Sequence, residues 1–278
     1  MPNKSFSLKI SNQIKPFEKT INVDSDKSIS IRSFLIGAIS HNISEVKNVL
    51  ESEDVYSCVN CLKKLGVKII KVKPRIYLVY GKGLGSFYAK KNTILNFGNS
   101  GTTARLLIGL LSTNPYIDVK IKGDHSLNKR NMGKLINLMS EFGTTFLPKN
   151  KTTLPLNLIS SPVPLGFEYR AGVSAQLKSA VLLGGLNANG VTNVIEDKLS
   201  RNHTENMLLQ SRKIIKIKKN NKGQNHIKIF GKQYLEPLKI NIGGDPSSAA
   251  FFATITLLTS DAKLKIKDVG LNPRRIGF

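Results

Sequence analysis

Polar turns and apolar runs alternate along this chain in a pattern that recurs four times. Each turn is rich in Gly, Ser or Thr and leads into a long apolar run, as in "DKSISIRSFLIGAIS" and "GNSGTTARLLIGLLS". The turns begin near positions 25, 98, 171 and 243, a period of roughly 73 residues. The pattern predicts three repeats over residues 25–241 and the start of a fourth, each with a helix that begins at the turn.

A second series of helices is predicted between these turns. Amphipathic segments follow Ser52, Ser126 and Ser200, and we expect each serine to be a helix N-cap. Two segments reach Gly66 and Gly143 before a strand-like run, which is typical of a helix C-terminus.

Strand signals occupy the remaining positions of each repeat. The segments "IYLVYGKGLG", "YIDVKIKG" and "LNLISSPVPLGFEYR" combine β-formers with turn residues. "GKGLG" (81–85) is not followed by a helical pattern, so we interpret it as a turn between strands and not as a nucleotide loop. The repeat is therefore a βαβαββ unit, and the fold class is α+β (mixed α/β).

Composition limits the classes of protein that fit this pattern. The chain has 278 residues, 40% of them hydrophobic, which suits one large or two smaller domains. It contains no run of about 18 apolar residues, and its first residues lack a secretory signal. We expect a cytoplasmic protein without a membrane partner.

The formal net charge of +24 predicts anionic ligands, either polyanions or small phosphates. The lysines are scattered, and the densest basic segment (211–232) alternates Lys with Ile as a half-exposed strand does. No tryptophan is present to stack on bases. We therefore expect no nucleic-acid partner.

Cysteine and histidine give no metal or nucleophile pattern. Cys58 and Cys61 form a lone C-x-x-C within an amphipathic segment, which favours packing over metal binding or redox chemistry. The histidines are scattered at His41, His125, His203 and His226. We expect no metal site.

The repeated turns are candidate anion sites. A helix N-terminus carries unpaired N–H groups and a positive dipole end, so several converging N-termini would bind an anion well. The alternative is that small residues merely allow close helix packing. Nearby cations favour the first interpretation, and they are Lys27, Arg32, Arg130, Lys178 and Arg201. Because Arg forks carboxylate or phosphate and Lys acts as a point charge, the mixture suits ligands that carry both groups.

Seven collinear motifs resemble one family. They are "DKSISIR", "GNSGTTARL", "GDHSLNKRNMGKL", "SAQLKSAVLLGGL", "SRNHTENML", "GDPSSAAFF" and "NPRRIGF". In this order and spacing they resemble the 5-enolpyruvylshikimate-3-phosphate synthases, in the bacterial branch called class II. The resemblance implies the enolpyruvyl transferase fold, an inside-out α/β barrel of βαβαββ units with helices inside. It also implies that residues 25–241 form one complete domain, and that 1–24 and 242–278 are parts of another.

The resemblance implies a reaction without metal or organic cofactor. The 5-hydroxyl of shikimate 3-phosphate attacks C2 of phosphoenolpyruvate, C3 is protonated, and phosphate leaves. The matching shikimate 3-phosphate residues are Lys27, Ser28, Arg32, Ser174, Ala175, Gln176 and Arg201. The matching phosphoenolpyruvate residues are Lys27, Asn99, Gly101, Thr102, Arg130 and Gln176. These small molecules are the expected partners, and a monomer is the expected state of the complete enzyme.

Further expectations concern single positions. Gly101 matches a family glycine whose presence leaves room for the inhibitor glyphosate, so we expect sensitivity to it. Asn131 and Asn202 stand where the family usually has Pro and Asp. The resemblance also implies that the general acid and base lie beyond residue 278, because family members continue past this point. Asp245 has the sequence context of a helix N-cap and is not expected to be one of them.

Two alternatives remain at this point. One is the sister enolpyruvyltransferase acting on UDP-N-acetylglucosamine, which usually carries a Lys-Asn pair and a reactive loop cysteine, whereas here Ser28 follows Lys27. The other is a non-catalytic module that binds anions or nucleic acid.

Overall fold

The computed structural model describes residues 7, 9, 14–211, 213–221 and 223–277. The helices are α1 (Lys27–Ile39), α2 (Glu53–Lys64), α3 (Gly101–Thr113), α4 (His125–Asn128), α5 (Gly133–Glu141), α6 (Ala175–Gly185), α7 (His203–Leu208) and α8 (Pro246–Leu257). The strands are β1 (Glu18–Asn22), β2 (His41–Lys47), β3 (Lys68–Lys73), β4 (Ile76–Lys82), β5 (Ile94–Asn96), β6 (Asp118–Lys122), β7 (Thr145–Leu147), β8 (Leu156–Ile159), β9 (Glu168–Ala171), β10 (Val191–Glu196), β11 (Ile215–Lys219), β12 (Asn225–Phe230), β13 (Lys239–Asn241) and β14 (Lys263–Lys267).

Three four-stranded sheets share one topology. Their orders are β13-β2-β4-β3, β5-β6-β8-β7 and β9-β10-β12-β11. In each sheet the first two strands are parallel and the remaining pairs are antiparallel. The predicted βαβαββ unit is therefore confirmed in the second and third repeats, which supply all four of their own strands.

The first repeat takes its first strand from the other end of the three-repeat segment. β13 pairs in parallel with β2, placing Ile240 opposite Val46. The Asn48 side chain donates to the Ile242 carbonyl oxygen at 2.6 Å. The three-repeat segment is thereby closed on itself.

A fourth sheet lies outside that ring and has two strands. β1 and β14 pair in parallel, with Glu18 opposite Lys263 and Asn22 opposite Lys267. Because α8 connects into β14, these elements form the first βαβ of a fourth unit, with the N-terminal strand in its first position.

Helices form the interior and sheets the exterior. α1, α3 and α6 are buried on nearly every side, and Ile31, Leu107 and Leu182 have no exposed surface. Helices α3 and α6 pack closely at Gly109, where a Cβ would lie 2.5 Å from the Ala180 carbonyl oxygen. Buried and exposed side chains alternate along the outer strands. In β12, for example, the isoleucines are buried and Lys228 is exposed.

The turn and cysteine predictions are confirmed. Gly66 and Gly143 follow helices with φ of 84° and 92°, a conformation that favours glycine. "GKGLG" joins the end of β4 to a segment that leads to β5 without a helix. Cys58 and Cys61 are buried free thiols in the core, and burial raises the pKa of Cys61 to about 12.

Of the three predicted serine caps, the structure confirms the position of one and corrects the other two. Ser52 occupies the N-cap position of α2, but its side chain makes no capping hydrogen bond. Ser126 lies inside α4, whose N-cap is Asp124, because the Asp124 carboxylate accepts from the Leu127 amide at 2.7 Å. The Asp124 carboxylate, and not the Ser126 hydroxyl, is the acceptor at the start of this helix.

Ser200 is not a cap either. The N-cap of α7 is Asn202, and Ser200 lies before it. Both the amide and the hydroxyl of Ser200 donate to Glu196 Oε1, at 2.7 and 2.8 Å. Ser200 therefore hydrogen-bonds to the buried carboxylate of Glu196, at the end of β10, instead of capping α7.

Helix α8 differs from its three equivalents because its apolar side chains are exposed. Phe251 and Leu257 have 74% and 86% of their surface accessible. In the described residues, no helix combines the length and apolar character that crossing a bilayer requires.

Candidate functional site

The four repeated turns become four capped helix N-termini. The caps are Asp26, Ser100, Ser174 and Asp245. Each side chain accepts a hydrogen bond from the first turn, at 2.9, 3.2, 3.4 and 2.8 Å respectively. The prediction of Asp245 as an N-cap is confirmed. Capping satisfies one N–H of each first turn, and the positive dipole end remains.

Side chains join three of these N-termini. The Gln176 amide donates to Thr102 Oγ1 at 3.0 Å, which links the start of α6 to the start of α3. Arg32 reaches from α1 to α6 and α7. The predicted residues Arg32, Thr102 and Gln176 are thus part of one cluster of helix ends.

Arg32 is a buried guanidinium held by neutral oxygens. It is 3% exposed, and it donates to Thr204 Oγ1 at 2.9 Å, Ser179 Oγ at 3.2 Å and Ser28 Oγ at 2.7 Å. Desolvation lowers the pKa of Arg32 to about 10, against the attraction of Asp26 and Glu205. No described carboxylate forms an ion pair with it, so the charge has no direct counter-ion.

Lys27 and Arg201 lie at the exposed margin of this cluster. Lys27 is the first residue of α1 and forms an ion pair with Asp54 of α2 at 2.7 Å. Arg201 is exposed, and its charge contributes to lowering the pKa of Arg32 and His203, which indicates that it is close to both. At the start of α6, Ser174 is half-buried as the cap and Ala175 is buried.

A second group of residues surrounds the start of α3. Arg130 donates to Asn99 Oδ1 at 2.6 Å. A Cβ on Gly101 would lie 3.0 Å from Arg130 Nη1 and 2.7 Å from Arg105 Nη1. Two guanidinium groups therefore converge on one helix N-terminus, and desolvation together with the charge of Arg130 lowers the pKa of Arg105.

Arg105 is a candidate that our sequence reasoning did not single out. It donates to the Gly101 carbonyl oxygen at 3.1 Å, one helical turn away. The signal was present in "GTTAR", because a residue four positions after the glycine returns to the same helix face. The half-buried side chain adds a cation to the group formed by Asn99, Gly101 and Arg130.

Lys178 is not a cation of the site, contrary to our expectation. Its side chain is fully buried, with Nζ 2.6 Å from Glu196 Oε1 and 2.6 Å from Glu205 Oε1. The ammonium is occupied by two buried carboxylates, which require a counter-ion. Lys178 therefore joins α6, β10 and α7 inside the fold.

The two arginines of "NPRRIGF" are further residues that the sequence pattern did not single out. Arg275 contacts both N-cap carboxylates, Asp26 at 3.3 Å and Asp245 at 2.7 Å. Arg274 binds Glu196 Oε2 at 3.2 Å. They hold the start of the fourth unit against the first and third.

Within the described ranges, no cluster of three or more His, Cys, Asp or Glu side chains could hold a metal ion. The chemistry available at the helix ends is hydrogen bonding and positive charge.

Comparisons with known proteins agree with the motifs. The sequence profile of EPSP synthase (3-phosphoshikimate 1-carboxyvinyltransferase) matches residues 11–278. A 3-phosphoshikimate 1-carboxyvinyltransferase of Parvibaculum lavamentivorans is 40% identical over 260 residues, 93% of this chain and 57% of the relative. One from Novosphingobium aromaticivorans is 42% identical over 263 residues, 94% of this chain and 59% of the relative.

A solved structure agrees on the fold. EPSP synthase from Acinetobacter baumannii superposes with a TM-score of 0.81 at 34% identity, covering 93% of this chain and 57% of that one. This confirms the predicted enolpyruvyl transferase fold. This chain thus spans less than two thirds of the length of these relatives. The profile match over nearly its whole length shows that the chain belongs to the EPSP synthase (3-phosphoshikimate 1-carboxyvinyltransferase) family.

Proposed function

We propose that this chain carries substrate-binding residues of a 3-phosphoshikimate 1-carboxyvinyltransferase, which transfers the enolpyruvyl group of phosphoenolpyruvate to the 5-hydroxyl of shikimate 3-phosphate. The observation that carries the proposal is Arg32, a guanidinium 3% exposed that has no carboxylate partner among the described residues. A buried charge without a counter-ion is costly, and an anionic substrate at the helix N-termini would supply one.

In this proposal shikimate 3-phosphate lies against the starts of α1 and α6. Its contacts are Lys27, Ser28, Arg32, Ser174, Ala175, Gln176 and Arg201. The hydroxyls and backbone amides would hold the phosphate oxygens, and Arg32 would balance their charge. Arg201 is exposed and unpaired within the described ranges, so it is free to move onto the ligand.

Phosphoenolpyruvate would lie against the start of α3. Its contacts are Lys27, Asn99, Gly101, Thr102, Arg130 and Gln176, to which we add Arg105. The convergence of Arg105 and Arg130 on Gly101 supports this position, because two like charges held close together favour an anion between them.

The Gln176–Thr102 hydrogen bond then separates two neighbouring anion sites. Positive charge on both sides would let two mutually repelling substrates approach, so that the 5-hydroxyl can attack C2 while C3 is protonated and phosphate leaves. In this proposal these residues align the two substrates and neutralise their negative charge.

We also propose that residues 25–241 form one domain, and that 1–24 and 242–278 belong to another. Two features support it: β13 closes the three-repeat ring, and β1 pairs with β14 outside it. The substrates would lie on the face where Arg275 holds the two segments together. A cytoplasmic monomer is the state we propose for the enzyme, and gel filtration with a mass measurement tests it.

The experiment is a calorimetric titration of this chain with shikimate 3-phosphate, shikimate and inorganic phosphate, each at two salt concentrations. We expect shikimate 3-phosphate to bind at both concentrations and to bind more tightly than either fragment. Equal binding of all anions that falls steeply with salt would contradict the proposal and favour a non-specific basic module.

A matched pair of variants sharpens the test. Ser28→Ala removes a hydroxyl at the start of α1, and Ser86→Ala removes one in the loop after β4, where it bonds to Gly83. We expect only Ser28→Ala to weaken shikimate 3-phosphate binding.

A further inference from the structure

The outer face of the third sheet carries a compact group of basic side chains. Strands β11 and β12 place Lys216 opposite Lys228 and Lys218 opposite His226. The three lysines are exposed, and none forms an ion pair with a described acidic residue. From strand geometry the four Cα positions outline a rectangle of about 5 by 7 Å.

The equivalent strand pairs of the other two sheets lack this arrangement. In the first sheet Lys68 lies opposite Tyr80, and in the second Thr145 lies opposite Ile159. Like charges directly opposite each other destabilise a sheet. A general excess of lysine does not explain why only the third sheet carries such pairs on its last two strands.

A groove of about 330 Å³ runs over this group. Asn193 lies beside Lys228 in the groove, and its side-chain oxygen is buried without a hydrogen-bond partner in the described structure. At one end lies Phe230, whose ring centre is 5.5 Å from Lys216 Nζ. On the side of Lys216 and Lys228, the groove ends at the apolar pair Val191 and Phe230.

Across the sheet, Lys216, Lys228 and Asn193 form a row that ends in the acidic residue Glu168. Glu168 is on the edge strand β9, and β10 separates it from β12. Arg170 on the same strand adds positive charge opposite Ile195. The formal charge is therefore positive along both rows of the face, with Lys216 and Lys228 against Glu168 in one row and Lys218 with Arg170 in the other.

We propose that this face is a second binding site, for a ligand that carries linked phosphates such as a triphosphate chain. Lysines act as point charges toward phosphate oxygens, and three lysines within one small rectangle match several negative charges in one compact group. A long polyanion would need cations that continue past Phe230, where the row is apolar. The site is on the outer side of the sheet, opposite the helices, and is independent of the proposed transferase site.

The test is calorimetric titration of this chain with inorganic tripolyphosphate, ATP and orthophosphate, without divalent cations and at constant ionic strength. We expect tripolyphosphate to bind more tightly than orthophosphate. The double variant Lys216→Gln with Lys228→Gln should weaken binding by about tenfold. The control is Lys68→Gln with Lys120→Gln, which removes outer-face lysines of the other two sheets and should leave binding unchanged.

Two further readouts decide the outcome. Without ligand, Lys228→Gln should raise the melting temperature because it removes a like-charge pair, whereas Lys68→Gln should not. Tighter binding of ATP that Phe230→Leu abolishes would identify a nucleotide, and equal affinities would identify the phosphate chain alone. Equal losses in both double variants, or binding only of single-stranded DNA with affinity that rises with its length, would overturn the proposal.

Discussion

Among single residues, Arg32 combines burial, charge and neutral partners in a way that predicts its behaviour. Its three donating nitrogens are aimed at Ser28, Ser179 and Thr204, so the fork geometry is set before any ligand arrives. Lysine cannot reproduce three fixed donor directions. The position depends on arginine for orientation as well as for charge.

Arg32→Lys should therefore weaken shikimate 3-phosphate binding by roughly ten- to a hundredfold, the value of one or two charge-assisted hydrogen bonds. Arg170→Lys, on an exposed edge strand, is the control and should have no effect. The measurement is calorimetric titration of both variants. Equal affinities in the two variants would refute the role of the fork.

Gly101 is the second residue with a specific steric consequence. Gly101→Ala places a methyl group 2.7 Å from Arg105 Nη1 and 3.0 Å from Arg130 Nη1, so both arginine ends must shift. We expect weaker binding of phosphoenolpyruvate and glyphosate, with shikimate 3-phosphate affinity unchanged. Gly172→Ala, whose Cβ would meet nothing within 4 Å, is the control. Unaltered glyphosate binding would contradict the predicted position of that ligand.

At the level of elements, a buried ionic group fastens α6 to β10 and α7. Lys178 pairs with Glu196 and Glu205, and Glu196 also contacts Arg274 and Ser200. Burial alone would raise the pKa of Glu196. The hydrogen bonds from Lys178 and Ser200 outweigh that effect, so the pKa of Glu196 is lower than its ordinary value. Glu205 depends on Lys178 alone among described ion-pair partners.

Lys178→Met should lower the free energy of unfolding by roughly 3–5 kcal/mol, because Glu205 is left as an unpaired buried charge. Adding Glu205→Leu should recover part of the loss, since no charge then remains unpaired. Urea denaturation of both variants measures this. A double variant no more stable than Lys178→Met would contradict the explanation.

Helix α7 also carries a pH-sensitive group. His203 is 7% exposed and its Nε2 has no hydrogen-bond partner in the described structure. Desolvation, aided by Arg32, Arg275 and Arg201 and opposed by Asp26, lowers the pKa of His203 to about 4. The folded chain therefore keeps this imidazole neutral at pH values where the unfolded chain protonates it.

Because the folded pKa is below the ordinary value of 6.5, stability from His203 is complete above pH 6.5 and is lost as the pH falls toward 4. The change should be about 3 kcal/mol at most. Urea midpoints between pH 7 and 4.5 should fall less in His203→Gln than in the unmodified chain. His125→Gln, at an exposed position, should follow the unmodified chain.

For the molecule as a whole, ring closure by β13 joins segments almost 200 residues apart in sequence. Besides the β13–β2 ladder, the Ile242 amide donates to the Lys47 carbonyl oxygen at 3.0 Å, and the Leu238 amide to Ser44 Oγ at 2.9 Å. The first sheet is therefore complete only when the third repeat has been followed by β13.

Ile242→Pro removes the amide donor and should lower the free energy of unfolding by about 1 kcal/mol or more, the net value of one backbone hydrogen bond. Hydrogen exchange should show the loss of protection in β2, far away in sequence, and not in β6 of the second sheet. Ile242→Val keeps the amide and is the control. Loss of protection confined to residues near 242 would show that β13 does not support the first sheet.

Local pattern by itself determined the period, the positions where the four repeated helices begin and the βαβαββ order. These features depend on interactions between near neighbours: a side chain capping its own helix, a glycine after a helix end, β-formers bounded by turns. Asp245 caps its helix from two residues away in sequence, and local pattern predicted it. Asp26, Ser100 and Ser174 cap theirs from three residues away, but only the structure identified them as the caps. Collinear motifs also predicted the family.

Only the tertiary structure decided the partners of the charges. Lys178 and Arg32 are both basic residues near helix starts, yet one neutralises two buried carboxylates and the other has no carboxylate partner among the described residues. Ser200 binds Glu196 instead of capping α7, and β13 completes a sheet begun about 200 residues earlier. Long-range electrostatics and strand pairing act between groups that are distant in sequence, so no local pattern specifies them.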